Sequence, residues 1–536
     1  MGHHITVPYV YEDEGKTWTD PQVFATNKGS RLSYPHVFEV EPGKLWITTM
    51  QGLLRVELPE AELVGNYTGL SFWFAPRGDG GTMTRPGMLC FAVVASLGLV
   101  APVPAQDAPA LPGLVAICPG AWVDDMRPWV EARAQSFDAR CVAVEDVLAR
   151  EEGADAPERI KRYLHREWRD NRLQLALLVG DADTFPVRWM VLDRNTPEAF
   201  DYAFYASDLY YADLAKDDGG FEDWNARKDG FHARYFGEVR GEHFKEPPIN
   251  FDAISYVPEI GVGRWPVSTE DDLRAVIAKT LEWERTRRAG PPKALMLHPD
   301  GWVDMRERLS AQSGNLGKAG WAVEQQFYGG EAKQPTPATT VASILGGKEL
   351  ILHAGHGNSD VWDGCLGPRE RDALVAAAPA IFFSVGCGTA HFATEPPYGA
   401  YLDADGILHR GTVDGEVFTS EPPAPAALQP GRLNSTGLGE RLLRLPRSGA
   451  VAYIGCNTGA QPCAMTLLDG FLQSVSTGGP TVGSAWKDAL AYYWQAEKLD
   501  ELTPTEDWYP PSIFFQGMKF MLFGDPAVSI PRADEK

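Results

Sequence analysis

Two side chains of this sequence could carry out covalent chemistry together. His356 sits between glycines in the run His353-Ala354-Gly355-His356-Gly357, directly after the apolar stretch Leu350-Ile351-Leu352. Cys387 follows thirty-one positions later, closing a second apolar stretch, Ile381-Phe382-Phe383-Ser384-Val385-Gly386. A thiol with a pKa of about 8.5 is mostly protonated at neutral pH. A histidine within reach takes that proton or, once charged, holds the thiolate. Gly355 and Gly357 would let the backbone turn sharply and let a substrate come close. The backbone N–H groups of Gly357 and Cys387 could bind the oxyanion of a tetrahedral intermediate, each such donor being worth about 3–4 kcal/mol in the transition state. Taken singly, a buried cysteine is usually a small hydrophobe and a histidine usually a hydrogen-bonded structural residue. A metal reading competes, since His353, His356, Asp360, Asp363 and Cys387 carry ligand atoms. It is weaker, because His353 falls inside the strand and neither an H-x-H nor an HExxH spacing occurs.

The elements that must position this pair can be read around it. The interval from His356 to Cys387 accommodates a loop, a helix and a strand returning parallel, and parallel strands joined by one crossover are commonly neighbours. In an open parallel sheet the C-terminal strand ends converge on one crevice. A series of alternating strands and helices begins at Lys293 with Lys293-Ala294-Leu295-Met296-Leu297-His298 and continues to a final strand in Phe520–Ile530. An earlier series begins at Leu111 and includes the continuous apolar run Leu175–Val179 and the stretch from Pro258 to Glu284, where a Ser/Thr cap opens a long amphipathic helix. Strands alternating with helices predict α/β architecture with an open, mostly parallel sheet flanked by helices. The expected units are an N-terminal α/β subdomain over 107–290 and a catalytic subdomain over 291–536.

Composition bounds the rest. The 536 residues exceed one core, being 44% hydrophobic and 23% charged with a net charge of −23. No basic footprint for nucleic acid is present. The seven cysteines, Cys90, Cys118, Cys141, Cys365, Cys387, Cys456 and Cys463, form no CxxC pair, which argues against a zinc ribbon or a redox motif. Residues 189–255 read as an aromatic, acidic, loop-like region. Within it Asp223, Asn225, Asp229 and Glu238 could supply oxygens to a structural calcium ion, although Arg227 and Lys228 spoil the spacing of an EF-hand loop. No other cofactor is called for. A polar, proline-rich insertion covers 402–436.

The first hundred residues follow a different logic. Met83 to Gln106 has one positive charge, Arg85, then an apolar run from Met88 to Val100, then Val103-Pro104-Ala105 before a cleavable position. That is the anatomy of a secretory signal peptide. A membrane span needs about 20 apolar residues, and Pro102 and Pro104 interrupt this run. The expectation is therefore translation from Met83 and export, to the periplasm, the cell surface or the medium, with no stable membrane insertion once the signal is removed. Residues 1–82 are then an upstream-frame fusion. They hold Tyr11–Trp18, "YEDEGKTW", which resembles the Asp-box turn of sialidases, and Ser33–Thr49, which resembles a sialidase strand pair. This short β fragment is far less than one propeller, and 66–82 reads as linker.

From Leu111 onward the sequence resembles the gingipain-type cysteine peptidases. The blocks carrying the resemblance are Leu177–Arg188, Ser207–Leu214, Pro258–Ser268, "HAGHGNSDVWDG", "FFSVGCGTAHF", "GAVAYIGCNTG" and "MLFGDPAVSI", in the family's order. The resemblance implies a caspase-like fold, a polypeptide substrate, and a peptide bond broken through a thioester acyl-enzyme. It implies that Cys387 is the nucleophile and His356 the acid–base. Asp300, at the end of the first catalytic strand, is the candidate for orienting His356, its alternative role being a helix cap. Cys456 and Cys463 fall where the family builds a specificity-pocket wall, and would shape it or pair. An exported location would let Cys118 and Cys141 bridge. Asp525 reads as part of a packing turn. Beside the secreted endopeptidase stand a sortase-like transpeptidase of the same fold and a catalytically silent binding module.

Overall fold

The computed structural model describes five strands between His3 and Pro59 and, beyond them, residues 111–191, 204–224, 249–250, 254–286, 290–329, 333–393, 401–402, 407–409, 436–503 and 509–533. Residues 1–111 and 112–536 form two units. In the first, β1 (His3–Val7) pairs antiparallel with β2 (Gln22–Asn27), and β3 (Ser33–Glu41), β4 (Lys44–Gln51) and β5 (Arg55–Pro59) form an antiparallel meander. The stretch read as a strand pair is thus β3 and β4. The Asp-box-like Tyr11–Trp18, the linker and the signal-like segment lie outside the described residues.

The second unit begins with β6 (Gly113–Cys118), α1 (Arg127–Arg133), β7 (Asp138–Ala143), α2 (Val144–Arg150), α3 (Ala156–Asn171), β8 (Leu173–Val179), the short antiparallel pair β9 (Trp189–Val191) and β10 (Phe204–Ala206), β11 (Gly261–Trp265) and α4 (Glu270–Arg285). It continues with β12 (Lys293–His298), α5 (Arg306–Lys318), β13 (Ala322–Phe327), α6 (Pro337–Leu345), β14 (Leu350–Ala354), α7 (Pro368–Ala373) and β15 (Ala380–Val385). After the small pair β16 (Tyr401–Leu402) and β17 (Leu408–His409) come α8 (Leu438–Arg444), β18 (Ala450–Cys456), α9 (Met465–Ser476), α10 (Val482–Ala496), α11 (Tyr509–Lys519) and β19 (Phe520–Gly524). Thr269 caps α4 by accepting from the Asp272 amide at 3.1 Å, as its sequence predicts.

One sheet runs through the whole unit in the order β13-β12-β14-β15-β18-β19-β11-β8-β6-β7. Its inner strands are mostly apolar on both sides because helices cover both faces, whereas the edge strands β13 and β7 carry polar residues. Alternate residues feed two separate cores: Val115 and Ile117 enter one, Leu114 and Ala116 the other, and Leu350 and Leu352 part from Ile351 in the same way. Every neighbouring pair is parallel except β18 and β19, where Tyr453 faces Phe523 in antiparallel register. β12, β13, β14, β15 and β18 therefore end at one edge, and β19 ends with the first-series strands at the opposite edge. The two expected subdomains share this sheet, because the chain's last strand, β19, inserts between β18 and β11. Gly263 permits that insertion, since a Cβ there would lie 2.3 Å from the Gly524 carbonyl oxygen. Asp525 then accepts from Trp129 Nε1 at 2.6 Å and Arg133 Nε at 2.9 Å, tying the strand to α1. The packing role expected of this turn is what these bonds perform.

The aromatic, acidic stretch read as a loop differs from expectation. Within its described part, Tyr205–Ala215 is buried. Arg264 forks onto Asp208 at 2.8 and 2.6 Å, Trp224 Nε1 donates to Asp213 at 2.5 Å, and the Lys161 ammonium lies 4.7 Å from the Tyr210 ring centre. Burial pulls Lys161 down to about 8, against the attraction of Asp213, Glu222 and Glu259. Paired charges let polar residues enter a core, and no periodicity announces such a plug.

Cys118 and Cys141 are free thiols on the neighbouring strands β6 and β7, with sulfurs 3.3 Å apart. Incubation with glutathione disulfide is expected to join them. Each thiol gives up its hydrogen and the electron pair reduces the glutathione disulfide to two thiols. Intact mass should fall by two hydrogens, with one peptide spanning both cysteines. Unchanged mass, or the same loss in Cys141→Ser, would show that the strands hold the sulfurs apart.

Candidate active site

β14 and β15 set the geometry. Their parallel register pairs Leu350 with Ile381 and runs unbroken to Ala354 with Val385. Two residues beyond the last pair, on each strand, stand His356 and Cys387. The His356 loop stays joined to β15, Gly355 N donating to Val385 O at 3.2 Å, and closes on itself, Asp363 N donating to His356 O at 3.0 Å. The glycines around His356 have a different reason from the one their type suggests. Neither has positive φ. A Cβ on Gly355 would fall 2.9 Å from Pro299 Cγ, and one on Gly357 would fall 2.7 Å from Thr389 Cγ2. Close approach of two loops excludes side chains here, and the left-handed turn is instead at Gly388, with φ of 61°.

The loop after His356 folds back on itself. Asn358 Oδ1 accepts from the amides of Asp360 and Val361 at 2.8 and 3.2 Å, a side-chain mimic of a turn. This delivers Trp362 into the core, stacked on His353 with ring centres 4.7 Å apart and donating to Tyr453 Oη at 3.1 Å. His353 is wholly buried, and burial, helped by His298 and His356, pushes it down to about 3. It is a neutral packing residue. His298 is also committed: Nδ1 donates to the Ala354 carbonyl at 2.7 Å while Nε2 accepts from Met305 N at 3.1 Å. Among the described residues no three His, Cys, Asp or Glu side chains gather as a metal site. Of the four residues read as calcium ligands, Asp223 is described and Asn225, Asp229 and Glu238 lie outside the described residues.

His356 Nε2 lies 2.9 Å from the carbonyl oxygen of Gly301. A carbonyl only accepts, so Nε2 carries the hydrogen, which in the neutral ring leaves the lone pair on Nδ1. Asp300 is exposed, and its Oδ1 accepts from Gly301 N at 2.8 Å. The ring bond therefore goes to the peptide group between Gly301 and Trp302, and the Asp300 carboxylate shapes the turn that presents it. No side-chain signal in the sequence could identify a backbone carbonyl in this position.

Cys387 is partly buried, and its thiol donates to the Ala460 carbonyl at 3.5 Å. Burial pushes the thiol above its ordinary value, against the pull of the Lys519 ammonium. Gly388 N donates to Thr458 O at 2.5 Å, whereas the amides of Gly357 and Cys387 donate to no carbonyl among the described residues. Cys456 and Cys463 are buried and form no disulfide with each other, and burial pushes Cys456 up to about 12. The arrangement offers an imidazole, a thiol and two amide donors at adjoining strand ends.

The comparisons with known proteins agree with this architecture. A family model described as peptidase family C25 matches residues 107–531. Comparison with curated protein sequences gives no match. Among solved structures, the Arg-specific cysteine proteinase gingipain R (RgpB) is similar with a TM-score of 0.50 at 15% identity, over 80% of this chain and 81% of that one. The complex of Porphyromonas gingivalis RgpB pro- and mature domains is similar with a TM-score of 0.48 at 14% identity, over 78% and 80%. At these identities the structural likeness is one of fold, the gingipain caspase-like sheet flanked by helices.

Proposed function

Because the chain belongs to peptidase family C25 and is a cysteine-type peptidase acting on polypeptides, we propose that Cys387 and His356 form its catalytic dyad. His356 Nδ1 takes the Cys387 proton as the sulfur attacks the scissile carbonyl carbon. The carbonyl oxygen becomes an oxyanion between the amides of Gly357 and Cys387. As the intermediate collapses, the imidazolium returns its proton to the leaving amine, and the acyl group remains on sulfur as a thioester. Water then gives a proton to His356 and attacks the thioester, and the thiol is regenerated with release of the acid. The Gly301 carbonyl holds the ring in the required tautomer throughout.

The observation that supports this reading is the shared register of β14 and β15, which ends at Ala354 and Val385, two residues before His356 and Cys387 on their chains. The raised thiol supports a histidine partner, since sulfur that is protonated at rest needs a base when substrate arrives. Export from a signal-like Met83–Gln106 belongs to the same reading, and no described helix is long and apolar enough to cross a membrane. The test is cleavage of a peptide library with and without an added amine acceptor. Hydrolysed products alone support the endopeptidase, amine-capped products identify a transpeptidase, and no turnover by the intact protein would leave a silent binding module.

A further inference from the structure

We propose that Gln516 is a positioning residue for the nucleophile, fixing the loop whose carbonyl receives the Cys387 thiol; this rests on the reading of Cys387 given above. The loop is residues 457–461, directly after β18. It touches the nucleophile turn at two points: Thr458 O accepts from Gly388 N at 2.5 Å, and Ala460 O accepts from Cys387 Sγ at 3.5 Å. Ala460 itself is buried, but a Cβ on Gly459 would meet no atom within 4 Å, so the loop is open on that side.

Gln516, fully buried on α11, supplies the hold. Its Oε1 accepts from Gln461 N at 3.0 Å, and its Nε2 donates to Gly459 O at 3.2 Å. One side-chain amide thus grips the peptide groups on both sides of Ala460. The partners also fix its orientation, because Gln461 N can only donate and Gly459 O can only accept. The start of the loop is pinned separately: Asn457 N donates to Lys519 O at 2.9 Å, and Asn457 Nδ2 to Ala206 O at 2.6 Å. Lys519 lies three residues along α11 from Gln516, on the same face. The last helix of the fold therefore sets the carbonyl against which the sulfur rests, and so sets the sulfur's distance from His356. Packing alone does not demand a glutamine here. Methionine has similar length and volume and would leave no buried amide needing partners.

The experiment compares the intact protein with Gln516→Met and Gln516→Glu. Two quantities are read: kcat and KM on one peptide substrate, and the iodoacetamide alkylation rate of each cysteine by peptide mapping. The buried Cys365 reports folding. In Gln516→Met, kcat is expected to fall about 10²-fold, the scale of a misplacement of about 1 Å, with KM within about threefold and Cys365 still protected. Cys387 should alkylate faster in that variant, because its thiol loses a fixed acceptor. Gln516→Glu keeps an acceptor for Gln461 and loses the donor to Gly459, so its kcat should lie between. Wild-type kcat in Gln516→Met with Cys365 protected overturns the proposal. Where Cys365 becomes reactive in that variant, wild-type kcat in Gln516→Glu overturns it. Cleavage that survives complete alkylation of wild-type Cys387 overturns the nucleophile reading instead.

Discussion

Cys387→Ala is expected to lower kcat/KM for peptide cleavage by at least about 10³-fold, the scale on which loss of a nucleophile acts. The change removes one sulfur atom and its contact with the Ala460 carbonyl. It leaves β15, the left-handed Gly388 and the amides of Gly357 and Cys387 in place. A stability change within about 1 kcal/mol is expected, since the residue as a whole is only partly buried and its single hydrogen bond is weak. Substrate binding should persist, so the loss falls on kcat. Cys387→Ser should be nearly as inactive, because a hydroxyl is a far poorer nucleophile when its base is tuned for a thiol. Thermal denaturation beside peptide kinetics checks both parts. A variant that unfolds early would mean Cys387 matters chiefly to packing.

His356→Ala is expected to cost about 10²–10⁴-fold in kcat, the range for a positioned acid–base group. Two steps need the ring: removal of the thiol proton and its return to the leaving amine. Burial already holds Cys387 in its thiol form, so the variant should also alkylate more slowly at neutral pH. Asp300→Asn provides the contrast. The Asp300 carboxylate accepts from Gly301 N and makes no bond to the ring, while the Gly301 carbonyl does. Asparagine retains an acceptor oxygen for that amide, so activity should stay within about threefold of wild type. A loss in Asp300→Asn equal to that in His356→Ala would restore the carboxylate as the orienting group.

The legible parts of this protein were those that repeat a local rule. β14, β15 and β18 are continuous apolar runs ending in glycine-rich turns, and the helix between β14 and β15 fits the interval from His356 to Cys387. Both candidate residues could be singled out because a thiol and an imidazole are side-chain groups that a sequence displays. What orients and rests them could not be found in the same way. The Gly301 and Ala460 carbonyls are backbone atoms with no residue-type signature, and Gln516 lies far along the chain on a helix whose buried face looks like ordinary core. The reason for Gly355 and Gly357 was visible only as a need for small residues, since the atoms that crowd them, Pro299 Cγ and Thr389 Cγ2, come from other segments. The Tyr205–Ala215 stretch misled because its burial depends on distant partners, Arg264 for Asp208 among them. The insertion of β19 between the two series is likewise a long-range event, set by Gly263 and by Asp525 meeting Trp129 and Arg133.

The most direct measurement is a titration of the native protein with iodoacetamide, following the carbamidomethylated fraction of each cysteine and residual peptide cleavage in the same samples. Activity should fall in one-to-one proportion with modification of Cys387, while Cys365 and Cys456, both buried, stay unmodified. Saturating peptide substrate should slow the reaction. Full cleavage with Cys387 completely modified, or inactivation that tracks another cysteine, would contradict the dyad.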